Sequence, residues 1–180
     1  MKLIETKLQG VYIIENFVAE DNRGSFVKTF HEGFFKSHDL CTDFKESYFS
    51  ISKKDIIRGM HFQLPPDDHE KLVYVISGGI EDVMLDLRSA SPTYGSYQKV
   101  VLNSDNRRSV YIPKGLAHGY KSLVEGTVVV YQVSTVYKAV ADYGIRYDSF
   151  GCDWQLTAPV ISERDRGFKL FKAFEAENPF

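Results

Sequence analysis

Short runs rich in valine, isoleucine, tyrosine and phenylalanine recur along the chain, each closed by glycine, proline, asparagine, aspartate or serine. That is the punctuation of an all-β protein. The clearest pair is KLVYVI (71–76) and IEDVMLDL (80–87), separated by Ser77, Gly78 and Gly79. In the second run Glu81, Val83, Leu85 and Leu87 alternate with Ile80, Asp82, Met84 and Asp86, so the two runs are predicted to form a β-hairpin. Further strands are predicted at GVYII (10–14), GSFVKTF (24–30), YQKVVL (97–102), RSVYIP (108–113) and TVVVYQVS (127–134), and RGMHFQ (58–63) also reads as a strand. Helical signal is confined to EGFFKSHD (32–39) and FKLFKAF (168–174). In the latter, Phe168, Phe171 and Phe174 form a packing stripe. Strands this short and numerous favour a sandwich or jelly-roll barrel over any α/β design.

Composition narrows the picture. The 180 residues are 43% hydrophobic, which suits one core, and a single domain over residues 1–180 is expected. A net charge of -2 and an isoelectric point near 6.2 leave no basic footprint for nucleic acid, and no basic run suggests a membrane surface. Any phosphate must therefore be held by individual side chains. The opening MKLIETKLQGVYII lacks a long apolar core and a small-residue cleavage site, and nowhere do about 18 apolar residues run together. A soluble, cytoplasmic protein is expected. Cys41 and Cys152 match no metal or redox spacing and read as reduced structural thiols.

A lone histidine on a strand is ordinarily a packing residue, and His61 gains interest from its company. Lys71 heads the strand that follows it. In IPKGLAHG, Pro113 and Gly115 force a tight turn that delivers His118, and facing strands of a barrel can bring such distant segments together. Tyr131 and Tyr137 share the parity of one strand face, if the strand runs that far. Asp165 follows in ISERD, just beyond Pro159.

Taken together, DNRGSF, RGMHFQLPP, KLVYVISGGIEDVMLDLRSASPTYG, YIPKGLAHGY, VVYQVSTVY and DWQLTAPVISERD resemble, in order and spacing, the dTDP-4-dehydrorhamnose 3,5-epimerase family across nearly the whole chain. The resemblance implies an all-β, cupin-type jelly-roll barrel with short peripheral helices. It implies a homodimer in which an N-terminal strand joins the neighbour's sheet, and a nucleotide-linked 4-keto-6-deoxysugar bound in the barrel mouth without metal or other cofactor. By the same resemblance His61 is the base and Asp165 orients it. Lys71 steadies the enolate oxygen, and Tyr131 is the acid on the opposite face. Tyr137 and His118 line the pocket, Arg23 and Arg58 hold the diphosphate, and Gln63 is counted with the substrate-binding set. The chemistry requires such a set: inversion beside a ketone needs a base, a donor for the enolate oxygen and an acid across the ring. A positioned general base typically contributes about 10² to 10⁴ in rate, a preorganised donor stabilises the oxyanion, and a guanidinium fork suits phosphate.

The family pattern is broken mainly where its members contact the nucleotide base. Lys28 replaces a glutamate, and Glu46 and Tyr48 stand for glutamine and asparagine. A carboxylate can accept from thymine's imide, whereas a lysine can only donate, which suits an edge such as cytosine's. The nucleotide, dTDP, CDP or another, therefore stays open, as does inversion of one carbon rather than two. Other readings are a 3,4-ketoisomerase, a non-catalytic sugar-nucleotide-binding cupin, and a metal-dependent cupin using His69, Glu70 and His118. Against the last, the usual closely spaced histidine pair is missing, because Gln63 stands two residues after His61, and Asp67 to Glu70 read as an exposed loop.

Overall fold

The computed structural model describes residues 1–180. In chain order the strands are β1 (Lys2–Glu5), β2 (Tyr12–Glu15), β3 (Phe17–Asp21), β4 (Gly24–Lys28), β5 (Glu46–Ser52), β6 (Ile57–Gln63) and β7 (Lys71–Ser77). They continue with β8 (Gly79–Asp86), β9 (Tyr97–Asn103), β10 (Arg108–Ile112), β11 (Leu116–Ser122), β12 (Thr127–Val133) and β13 (Asp142–Gly144). Three short helices accompany them: α1 (Glu32–Lys36), α2 (Glu163–Arg166) and α3 (Phe171–Phe174). A six-stranded sheet has the order β1-β2-β10-β7-β12-β5, and a five-stranded sheet has the order β13-β6-β11-β8-β9.

The expected hairpin between residues 71–76 and 80–87 does not form. β7 pairs with β10 and β12, whereas β8 pairs with β11 and β9. The intervening glycines turn a corner between sheets. Gly78 has φ +80°, and a Cβ there would lie 2.4 Å from Thr127 Oγ1, so the corner accepts no side chain. The alternation in β8 reports burial on both faces rather than one: Val83 and Leu85 pack outward and Ile80 and Met84 pack inward, all fully buried.

Two apolar layers follow. The inner one joins Val73, Val75 and Val129 of the six-stranded sheet to Ile80, Met84 and Leu102 of the other. The outer one lies behind the five-stranded sheet, where Met60, Phe62, Val83 and Leu85 meet Trp154, Ile161 and Phe174. The C-terminal segment is thus pinned against β6, the strand that carries His61. Only Phe171–Phe174 of the predicted C-terminal helix is helical, and the phenylalanine stripe divides: Phe174 and Phe171 join the outer layer, while Phe168 packs elsewhere.

The ribbon β3–β4 stands apart from both sheets. Phe17 and Phe26 on it are 47% and 58% exposed. At the far edge of the larger sheet, β5 has a partner on one side only, and Phe49 and Ile51 on it are also exposed. Cys41 and Cys152 are unpaired thiols. No helix is long and apolar enough to cross a membrane.

Candidate active site

The glycines of RGMHFQ and LAHGY allow β6 and β11 to approach unusually closely. A Cβ on Gly59, whose φ is +135°, would lie 2.5 Å from Gly119 Cα, and one on Gly119 would lie 2.7 Å from the Arg58 carbonyl oxygen. Any side chain there would force the strands apart. The close approach sets His61 directly opposite His118 and turns the Gly59 N–H toward Asp165.

Asp165 lies on α2, where the Ser162 side chain accepts from its backbone N–H at 3.1 Å and caps the helix. Its Oδ2 accepts from Gly59 N–H at 3.1 Å, and its Oδ1 lies 3.0 Å from His61 Nε2. A carboxylate can only accept, so Nε2 carries the proton and Nδ1 is left as the bare nitrogen. Burial pushes the His61 pKa below its ordinary value against the pull of Asp165, with Lys71 and Arg164 acting in the same direction as burial. Burial opposes ionisation of Asp165, but its bonds from His61, Gly59 and Ser162 hold the carboxyl well below the usual carboxylate range. At neutral pH the pair is a neutral imidazole on a carboxylate. Phe168 sits edge-on to the imidazole, with ring centroids 5.7 Å apart, and Gly144 leaves the space its ring occupies.

The opposing sheet supplies Lys71 and Tyr131. Lys71 is buried at the head of β7 and donates to the His61 carbonyl at 3.1 Å. Burial brings its pKa down to about 8, against the attraction of Asp82 and Asp142. The Tyr131 ring stacks on Tyr48 of β5, 5.0 Å between centroids, and meets the His118 ring edge-on at 6.1 Å. Burial, together with the neighbouring Tyr120, raises the Tyr131 phenol well above its ordinary pKa. His118 Nε2 in turn lies 2.6 Å from Asp82 Oδ1, both side chains fully enclosed.

These groups border one branching cleft. One lobe of about 330 Å³ is bounded by Glu46, Tyr48, Gln63, His69, Tyr137 and Arg164 together with His61 and Lys71. A second, of about 200 Å³, is bounded by Ser50, Arg58, His118, Tyr120 and Tyr131, again with His61 and Lys71. A third, wider opening of about 760 Å³ runs past Arg58, Ser162 and Arg164 to Asp165. Of the expected residues, His61, Lys71, Tyr131, Asp165, Arg58, His118, Tyr137, Glu46, Tyr48 and Gln63 thus converge.

Several differ from expectation in how they do so. β12 ends at Val133, so Tyr137 comes from the following loop and shares no strand face with Tyr131. Its phenol lies 3.4 Å from Asp142 Oδ2, and its N–H donates to Glu46 Oε1 at 3.0 Å. Gln63 does not offer its amide to a ligand: Oε1 accepts from Lys138 N–H at 2.7 Å and Nε2 donates to the Asp67 carbonyl at 2.8 Å. It fastens two loops. Asp67 to Glu70 are half-buried rather than an exposed loop, with His69 Nδ1 3.1 Å from Thr135 Oγ1 and Glu70 bonded to Ser134. No three histidine, cysteine, aspartate or glutamate side chains are grouped as a metal ion would require.

Arg23 and Lys28 do not reach this chain's cleft. Both lie on the β3–β4 ribbon, Arg23 paired with Asp21 at the tip and Lys28 5.8 Å from the Phe17 ring centroid. Conversely, Asp82, Arg164, Phe168, Ser50 and Tyr120 belong to the site without having been expected there. Asp82 was detectable, because it shares parity with apolar Ile80 and Met84. The others depend on contacts across sheets that strand periodicity does not report.

A family model described as dTDP-4-dehydrorhamnose 3,5-epimerase matches residues 5–173. The chain belongs to the dTDP-4-dehydrorhamnose 3,5-epimerase family. The enzyme of that name from Methanothermobacter thermautotrophicus is 40% identical over 99% of this chain and 96% of its own length. Among solved structures, the dTDP-4-dehydrorhamnose 3,5-epimerase from Bacillus anthracis with TDP and PPi bound superposes with a TM-score of 0.91 at 34% identity, covering 94% of this chain and 98% of that one. The dTDP-6-deoxy-D-glucose-3,5-epimerase from Legionella pneumophila, in complex with dTDP-4-keto-L-rhamnose, gives 0.92 at 33% identity, covering 98% and 95%. The fold is the cupin-type jelly roll, and the protein is a nucleotide-sugar 3,5-epimerase of the dehydrorhamnose type.

Proposed function

We propose that the cleft enolises a dTDP-linked 4-keto-6-deoxysugar, with His61 and Tyr131 acting on opposite faces of the ring. One observation carries this reading: a neutral imidazole held by Asp165 on one sheet faces a buried phenol and a buried ammonium on the other. His61 Nδ1 removes the proton beside the ketone. The electron pair moves onto the 4-keto oxygen, where the buried Lys71 ammonium stabilises the enolate. Tyr131 then delivers its proton to the opposite face, and the configuration inverts. One base working alone would tend to return the proton to the side it left. Repetition at the second carbon flanking the ketone gives the 3,5 outcome.

Arg58, exposed at the cleft wall, offers its guanidinium to the diphosphate. The free carboxylate oxygen of Glu46 supplies an acceptor for thymine's imide N–H. The TDP and dTDP-sugar named for the Bacillus and Legionella proteins support the same nucleotide. The β3–β4 ribbon completes the site in a homodimer, in which the partner's copy of this arm lies along β5 and brings its Arg23 and Lys28 to the cleft. The arm's exposed phenylalanines and the free edge of β5 support that pairing.

The test is to offer dTDP- and CDP-linked 4-keto-6-deoxyglucose side by side and identify products by NMR. Faster conversion of the dTDP compound, inverted at carbons 3 and 5, is expected. Preference for the CDP compound, or inversion of a single carbon, would refute this assignment.

A further inference from the structure

Each inversion leaves the active site with its protons misplaced. His61 holds the one taken from carbon, and Tyr131 has become a phenolate. His61 reaches the cleft and is 29% exposed at its side chain, so its proton can leave to water. Tyr131 is 8% exposed and lies beneath Tyr48, which leaves it little direct contact with water while the sugar occupies the lobe.

A row of hydroxyls runs from Tyr131 along the wall of the smaller lobe toward Arg58. Ser50 Oγ lies 3.5 Å from Tyr131 Oη and 2.9 Å from Tyr120 Oη, and Tyr120 Oη lies 2.8 Å from Ser52 Oγ. Ser52 accepts from Arg58 Nε at 3.2 Å, and Arg58 is exposed to solvent. Tyr120 is 1% exposed and Ser52 2% exposed. Buried hydroxyls of this kind could have been satisfied by backbone carbonyls. Here they bond one another, and each can both donate and accept. The alternation of β5 places Ser50 and Ser52 on the same face as Tyr48, and β11 brings Tyr120 in from the opposite sheet between them.

We propose that Ser50, Tyr120 and Ser52 form a proton relay that recharges Tyr131 from the Arg58 end of the cleft. This rests on Tyr131 being the acid. The Tyr131 phenolate takes the Ser50 proton, Ser50 takes that of Tyr120, Tyr120 takes that of Ser52, and Ser52 is reprotonated by water beside Arg58. One proton enters here for each that leaves through His61, so charge balances over the cycle. The high affinity of the buried Tyr131 phenolate for a proton drives the transfer inward.

The relay predicts that removing one hydroxyl spares the first inversion, for which Tyr131 is already protonated, and slows the second inversion and every later one. In rapid-quench experiments, Tyr120→Phe and Ser50→Ala should each show a first inversion near the wild-type rate and later inversions slower by about tenfold or more, with a burst of one singly inverted sugar per active site. Ser50→Thr, which keeps a hydroxyl, should restore the later inversions. An unchanged ratio of first to later inversions in Tyr120→Phe would overturn the relay, even if Ser50→Ala were slow, because Ser50 would then be drawing on cleft water. A parallel loss in both phases would also overturn it, since that marks a purely positional role. Wild-type turnover, measured first on the same substrate, separates these results from failure of the underlying assignment, which would overturn the relay with it.

Discussion

His61 and Asp165 are 104 residues apart in the chain and meet at 3.0 Å. The contact depends on Gly59, two residues before His61, whose N–H occupies the second oxygen of the same carboxylate. The backbone thus fixes the carboxylate that fixes the imidazole.

Replacing Asp165 by asparagine keeps the shape but not the tautomer. The amide can present an N–H to His61 Nε2, which would move the ring proton to Nδ1 and remove the base from the cleft. Asp165→Asn should lower kcat by about 10²-fold or more while KM changes little. Steady-state kinetics, with circular dichroism to check folding, measures this. A KM effect without a kcat effect would contradict the orienting role.

The acid and base limbs of the pH profile belong to different residues. His61 must be neutral, and burial holds its pKa below 6.5, so kcat/KM should rise as pH increases through a value below 6.5. Lys71 must be charged, and its pKa is brought down to about 8, so the rate should fall through that region. Lys71→Arg keeps a charge that does not titrate there. It should shift the alkaline limb upward even if the maximal rate is lower.

Lys71 is also held at a cost to stability. Its pKa is about 8 when folded against 10.5 for the free side chain, so between these values the unfolded chain binds more protons than the folded one. Stability contributed by this group therefore rises with pH across that window, and at pH 7 the buried ammonium costs about 3 kcal/mol. Lys71→Met should raise the melting temperature at pH 7, flatten the rise between about pH 8 and 10.5, and remove most activity. Calorimetry over that range checks the sign: a lower melting temperature at pH 7 would show that the ammonium's bonds outweigh its desolvation.

The sequence made the chemistry more legible than the architecture. His61, Lys71, Tyr131 and Asp165 could be named because they sit in segments whose order resembles a known family, and the structure brings them to one cleft. Periodicity located most strands, yet it joined β7 to β8 as a hairpin, because a two-glycine turn between alternating runs looks the same whether the chain folds back or crosses to another sheet. The parity shared by Tyr131 and Tyr137 holds only if the strand runs on, and nothing in VSTVY marks where β12 ends. Gln63 was read as a ligand contact because the loops it fastens are distant in sequence. Arg23 and Lys28 show a different limit: in the proposed dimer they would act at a second copy's cleft, and such a residue has no contact in its own chain that periodicity could report.

The central claim is that two groups on opposite faces share the inversion, and solvent deuterium incorporation in single variants tests it most directly. With dTDP-4-keto-6-deoxyglucose in deuterium oxide, Tyr131→Phe should still exchange the proton beside the ketone through His61 while giving little inverted product, and His61→Asn should do neither. Inverted product from Tyr131→Phe at near the wild-type rate, or deuterium entering the substrate with His61→Asn, would contradict the account.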